Sequence, residues 1–364
     1  MLQNYSISGV KILIVVGQEC MDAQFSFDQG ETFHHCIELL YWISKTQRIV
    51  SFLKPILPAD QDGFRRVLFG GLCQRRILIG HENGILEYQK NGNHLRSVFS
   101  QNLINFTSDR TRKYCVTDDV ILICGGDKCD KARNRNLEIL TFINADDQQL
   151  TKLACPTLLP FDINEDHNLL YLGQNKILLL GGSRHCEKCG KDYIINDEEI
   201  SYNFKCVDGK FCTANYPINA GKLTFEGTIS SGNDNVAWKE IKSSSTSRLS
   251  SIAFKMKNYV YVAGGKSCTG NTIFSVERLN LISQCWEQTD YCIPIEVNAK
   301  HISVALNKDE SEAIIFECKC FVCRKYNCNP ILTFDETKGF SFVKDKDIST
   351  KILYSYTNYI SIVH

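Results

Sequence analysis

The stretch Val260–Cys268, "VYVAGGKSC", decides how this chain is read. An apolar run with the β-branched and aromatic residues of a strand ends in Gly264 and Gly265, followed by Lys266 and Ser267. That ending matches the second half of a phosphate-binding loop, G-x-x-x-x-G-K-[ST]. The first glycine of such a loop would fall at position 260, which is Val260. Without it the backbone N–H groups cannot wrap a phosphate. The residues that follow, "CTGNTIFSVERLN", are rich in Thr, Asn and β-branched types. They predict a turn and a strand where the loop requires a helix, so the nucleotide reading is set aside.

The same unit recurs. Val120–Gly126 reads "VILICGG", Lys176–Gly182 reads "KILLLGG", and Tyr259–Gly265 reads "YVYVAGG". Two copies keep one glycine, "KILIVVGQ" at Gly17 and "RRILIGHENG" at Gly80, and "EAIIFECKC" from Glu312 keeps only the strand. An extended stretch precedes each later copy ("FRRVLFGG", "RKYCVT", "HNLLYLG", "SRLSSIAFK", "KHISVALN"). Two more follow it across a polar turn, as in "FSVERLNLISQCWEQ" and "CNPILTFDETKGFSFV". Each unit therefore predicts about four short strands, with no long helical period. Anchors at 17, 80, 125, 181, 264 and 315 recur roughly every 50 residues, with one interval of about 83.

These residues resemble the kelch repeat family. The strand–Gly–Gly copies (Gly125, Gly126, Gly181, Gly182, Gly264, Gly265) carry the resemblance, together with Trp286 after the strand that contains Glu277 and Arg278. The best copy runs from Arg248 to Trp286. The resemblance implies an all-β propeller over residues 1–364, six blades of four antiparallel strands each. The tail "KILYSYTNYISIVH" alternates like a strand and would complete the first or last blade, closing the ring; a seventh blade built from both termini is the alternative. Each glycine pair is expected to end a second strand where an aromatic, Trp286 in the best copy, packs on bare backbone.

Composition bounds the function. Of the 364 residues 43% are hydrophobic, enough for a sizeable core. Lys plus Arg equals Asp plus Glu at 41 each, and zero net charge argues against a general nucleic-acid binder. The apolar run Ile12–Val16 is shorter than a signal peptide needs, and no run is long enough for a membrane span, which predicts a cytoplasmic protein. The 18 cysteines, about 5% of the chain, then read mostly as reduced core residues.

The long interval places a cysteine-containing insertion at 183–235, within the fourth blade. Cys186 and Cys189 form C-x2-C, and Cys206 and Cys212 form a looser C-x5-C. The set has the residue types of a structural zinc site, which would staple an insertion that lacks its own core. Free thiols in a surface hairpin are the alternative, and otherwise no cofactor is expected. A second group, Cys318, Cys320, Cys323 and Cys328, reads as buried thiols. His34, His35 and Cys36 are adjacent, and neighbouring strand residues point to opposite faces, so the spacing builds no nucleophile pair.

In kelch relatives the loops after the second strands share one face of the ring and receive partners. Carried to this chain, the loops after three glycine pairs hold Lys128, Lys131, Arg133 and Arg135, then Arg184, Lys188 and Lys191, then Lys266. This rim is expected to bind an acidic peptide or protein surface; solvated loop charge is the plain alternative. The expected function is a non-enzymatic protein-interaction module, with no nucleic acid, nucleotide or membrane as partner. Kelch relatives also recruit substrates to cullin-type ubiquitin ligases, or bind actin. The first strand is expected to begin near residue 11, and on that reading no room is expected for the BTB or F-box segment of a ligase adaptor. Kelch-like oxidases and sugar epimerases are the enzymatic alternative, but only eight histidines are present and no copper-site motif is seen.

Overall fold

The computed structural model of the chain describes residues 10–16, 37–43, 48–53, 67–81, 84–89, 94–100, 113–124, 136–144, 146–160, 167–181, 184–185, 192–193, 202–205, 211–214, 222–267, 271–297, 302–306, 310–317, 332–342 and 358–362. The apolar runs become strands: β1 (Val10–Val16), β2 (Ile37–Ile43), β3 (Arg48–Leu53), β4 (Val67–Cys73), β5 (Arg76–His81), β6 (Gly84–Gln89), β7 (His94–Phe99), β8 (Lys113–Val116), β9 (Ile121–Cys124), β10 (Leu137–Thr141), β11 (Thr151–Leu153), β12 (Asn168–Gly173), β13 (Lys176–Leu180), β14 (Arg184–His185), β15 (Asp192–Tyr193), β16 (Tyr202–Lys205), β17 (Phe211–Ala214), β18 (Thr224–Ile229), β19 (Val236–Ile241), β20 (Ile252–Met256), β21 (Tyr259–Ala263), β22 (Ser275–Asn280), β23 (Cys285–Cys292), β24 (Ile302–Leu306), β25 (Glu312–Glu317), β26 (Leu332–Asp335), β27 (Gly339–Phe342) and β28 (Asn358–Ile362). The residues after Lys266 and Ser267 lead into β22, a strand, as expected from "CTGNTIFSVERLN". Among the described residues no helix is long and apolar enough to cross a membrane.

The chain divides into two units. The first holds residues 1–103 and 301–364. Its antiparallel four-stranded sheets are β4-β5-β6-β7, β24-β25-β26-β27 and β28-β1-β2-β3. The last strand of the chain thus completes the sheet begun at the N-terminus, with Ile12 opposite Ile362 and Val16 opposite Asn358. The terminal strands share that sheet with β2 and β3. The leading strands β24, β28 and β4 lie side by side, as blades of a β-propeller do.

The second unit, residues 104–300, repeats the plan with β8-β9-β10-β11, β12-β13-β18-β19 and β20-β21-β22-β23, and β8, β12 and β20 are again neighbours. Its middle sheet is covered on both faces. Ile177 and Leu179 pack with Leu122, Cys124 and Ile139 on one side. Leu178 and Leu180 pack with Ala253, Val260 and Val262 on the other. Successive strand residues point to opposite faces, which explains why "KILLL" is a continuous apolar run. Between β13 and β18, which pair directly, stand two hairpins, β14–β15 and β16–β17. The Gly181 N–H donates to Leu223 O at 3.0 Å and closes the neck of that excursion. The sheet resumes at Thr224, so the stretch expected as insertion, 183–235, also contains β18.

The glycines work differently from the expectation. Gly264 (φ 67°) and Gly265 (φ 91°) adopt the left-handed conformation that favours glycine. A Cβ on Gly265 would lie 2.5 Å from the Leu249 carbonyl oxygen, and one on Gly264 would lie 2.4 Å from Val297 Cγ2. The atoms nearest such a Cβ belong to Val297 and Ile293 at Gly264 and to Leu249 and Ser251 at Gly265, none of them aromatic. Trp286 instead packs beside the Leu178–Val262 cluster, and its Nε1–H donates to Lys242 O at 2.8 Å. The aromatic-on-glycine contact does occur elsewhere. A Cβ at Gly80 would lie 2.1 Å from the Phe69 ring, and one at Gly227 would lie 2.8 Å from Trp238. Gly181 (φ 62°) shares the left-handed turn, whereas Gly125, Gly126 and Gly182 lie outside the described residues.

Two buried thiols, Cys115 and Cys124, belong to the core between the first and middle sheets of the second unit. Burial pushes the Cys115 thiol up to about 12. It also raises Cys124 well above its ordinary value, with added repulsion from Cys115 and Cys155. Such thiols are poor nucleophiles.

Two outcomes are expected. Gly265→Ala combines a strained φ with a backbone clash and costs about 2–4 kcal/mol. Gly173→Ala, at φ 93° with nothing within 4 Å, costs only about 1 kcal/mol of backbone strain. Urea denaturation of the two variants checks the contrast. The raised Cys115 value stabilises the fold fully below about pH 9, and that contribution is lost as pH rises toward 12. The urea midpoint should therefore fall above pH 9, and the fall should be shallower in Cys115→Val.

Candidate partner-binding face

Strand direction decides which loops share a face. The Asn168 Nδ2 at the start of β12 donates to the carbonyl of Ser251, just before β20, at 3.0 Å. The Tyr171 hydroxyl, late in β12, donates to Asp118 Oδ2, just after β8, at 2.6 Å. The three leading strands therefore run the same way. Their antiparallel partners β9, β13 and β21 all end where the leading strands begin. The connections 125–136, 181–223 and 264–274 consequently emerge at one end of the second unit, with the inter-sheet linkers 154–167 and 242–251.

A buried ion pair holds this end together beneath the surface. The Arg248 Nε–H donates to Glu277 Oε2 at 3.1 Å, with the two side chains only 2% and 1% exposed. Arg248 Nη1–H donates to Gly264 O at 3.1 Å and Ser275 O at 2.8 Å, and Nη2–H donates to Ser275 Oγ at 3.0 Å. Burial lowers the Arg248 pKa, and the Glu277 charge opposes that shift. Glu277 Oε1 accepts the backbone N–H of Ser245 at 3.0 Å and of Thr246 at 3.2 Å. It also accepts the Ser245 hydroxyl and, at 3.0 Å, the Gln288 amide. Every charged oxygen and nitrogen thus has partners, which a buried pair requires.

The expected basic rim falls on this end as follows. Lys266 stands at the start of the third connection, its N–H on Leu249 O at 2.8 Å. Its Nζ lies 3.2 Å from Glu296 Oε1, and both side chains are about half exposed (47% and 57%). This member of the rim is therefore neutralised by a neighbour in the next linker. Arg184 lies in β14 opposite Tyr193. Lys128, Lys131, Arg133, Arg135, Lys188 and Lys191 lie outside the described residues. So do Cys186, Cys189 and Cys206 of the expected zinc set, while Cys212 lies in β17 opposite Phe204. His34, His35, Cys36 and the Cys318–Cys328 group are likewise outside. Among the described residues no group of His, Cys, Asp or Glu is placed to hold a metal ion.

Two basic residues that sequence reasoning missed stand at the same end. Lys222 stands two residues before β18 and Lys242 immediately follows β19, so both lie beside the neck of the β14–β17 excursion. The Ser244 N–H donates to Lys222 O at 3.1 Å and ties the two segments together. The signal was available in outline: a fourth strand ends where a second strand ends, so its next residue joins the same face.

No family model matches this chain, and no curated protein matches it.

Proposed function

We propose that this protein is a non-enzymatic interaction module, a six-bladed kelch-type propeller that receives an acidic protein partner on loops at one face. The observation that carries the functional part is the common direction of β8, β12 and β20, which gathers three long connections at one end of a rigid, doubly covered sheet stack. Binding residues concentrate on such loops because the scaffold fixes their position while leaving their sequence free. Basic side chains in the first two connections would steer an acidic surface toward that end.

The test is triple charge reversal, Arg133→Glu, Arg135→Glu and Arg184→Glu, in affinity capture from native extract at low salt, with the captured proteins identified. Wild type should retain acidic partners that the variant loses, and added salt should weaken retention. Unchanged capture by the variant contradicts the reading. Recovery of a cullin or of actin would name the class of partner.

A further inference from the structure

The linker between β19 and β20 reads "KSSSTSRL" from Lys242 to Leu249. It is unusually well fixed for a connection. The Lys242 carbonyl accepts the Trp286 Nε1–H at 2.8 Å. Ser244 N–H is held by Lys222 O, and its hydroxyl donates to Thr246 O at 3.1 Å. Ser245 and Thr246 give both backbone N–H groups to Glu277. The Gln288 amide reaches Thr246 Oγ1 at 3.3 Å, and Arg248 is buried.

These contacts use the backbone and the middle hydroxyls. They leave three side chains with no partner among the described residues: the exposed Lys242 ammonium and the half-buried hydroxyls of Ser243 and Ser247. All three are hydrogen-bond donors that suit carboxylate oxygens. The carboxylate that bonds this linker, Glu277, is already balanced by Arg248, so it does not present a free opposing charge. A segment whose backbone is ordered before binding also loses less conformational entropy when a partner arrives.

We propose that Lys242–Ser247 is a preformed docking segment for an acidic, carboxylate-bearing stretch of a partner protein, with Lys242 as the ionic contact and Ser243 and Ser247 as hydroxyl donors. The inference rests on the reading that this end of the second unit receives an acidic partner, and it adds a centre beside the neck of the β14–β17 excursion, apart from Lys266 and its Glu296 counter-charge.

The test is fluorescence anisotropy of fluorescein-labelled octaglutamate with the full chain at low ionic strength. Wild type should bind, and Lys242→Glu should weaken binding by about tenfold, an effect that shrinks in salt. Ser243→Ala with Ser247→Ala should weaken it by about threefold. Lys257→Glu, on the β20–β21 turn at the opposite end, should change it by less than about twofold, and thermal melts should show all variants folded. If Lys242→Glu binds like wild type while the Arg133/Arg135/Arg184 triple reversal loses binding, this docking segment is wrong and the broader reading stands. Equal losses for Lys257→Glu and Lys242→Glu would mean unspecific charge attraction and overturn the segment. Wild type that fails to bind octaglutamate overturns both.

Discussion

The second unit depends on one buried ion pair. Arg248 precedes the first strand of its sheet, and Glu277 lies in the third. Between them they reach the end of the second strand through Gly264 O, the fourth strand through Gln288, and the incoming linker through Ser245 and Thr246. Two charges taken out of water are costly, and their attraction offsets that cost only when the remaining donors and acceptors are also satisfied. Here they are. The pair fixes where the second strand stops and where the linker enters, and those two features define the exposed end.

The glycines are the steric counterpart of that pair. The guanidinium of Arg248 bonds the Gly264 carbonyl, and the chain must then turn in the left-handed region to clear Leu249, Ser251 and Val297. Side chains at 264 or 265 would push the chain away from the groups that Arg248 bonds. Gly-Gly, a buried Arg and a buried Glu therefore form one device, written at three separated places in the chain. Above it Lys266 and Leu249 exchange backbone hydrogen bonds, so the third connection and the linker move as one surface.

Much of the architecture was legible. The run "KILLLGG" carries aliphatic side chains on both faces because the middle sheet of the second unit is covered on both sides, and the recurrence of such runs marked the sheets in which they occur. The C-terminal tail alternates because it pairs with β1. The ion pair was not legible. Arg248 and Glu277 stand 29 residues apart, and charged residues near turns ordinarily face solvent. Only the fold brings Arg248, Gly264, Ser275 and Glu277 together. The role given to Trp286 was misplaced for a related reason: an aromatic after a turn can pack on its own sheet or on its neighbour, and register decides which. Lys242 was overlooked because its place at the exposed end follows from strand direction across the whole repeat rather than from a local motif. The basic loops remain legible as charge, and Lys266 shows how a counter-charge from the next linker can mask it.

The most direct measurement of this account is a double-mutant cycle on the full chain, with Arg248→Met, Glu277→Met and the double variant followed by urea denaturation. The account predicts that each single change costs about 3–5 kcal/mol, because each leaves its partner buried and uncompensated. The double change should cost less than the sum by about 1.5 kcal/mol or more. Single variants within about 0.5 kcal/mol of wild type, or strictly additive losses, would contradict it.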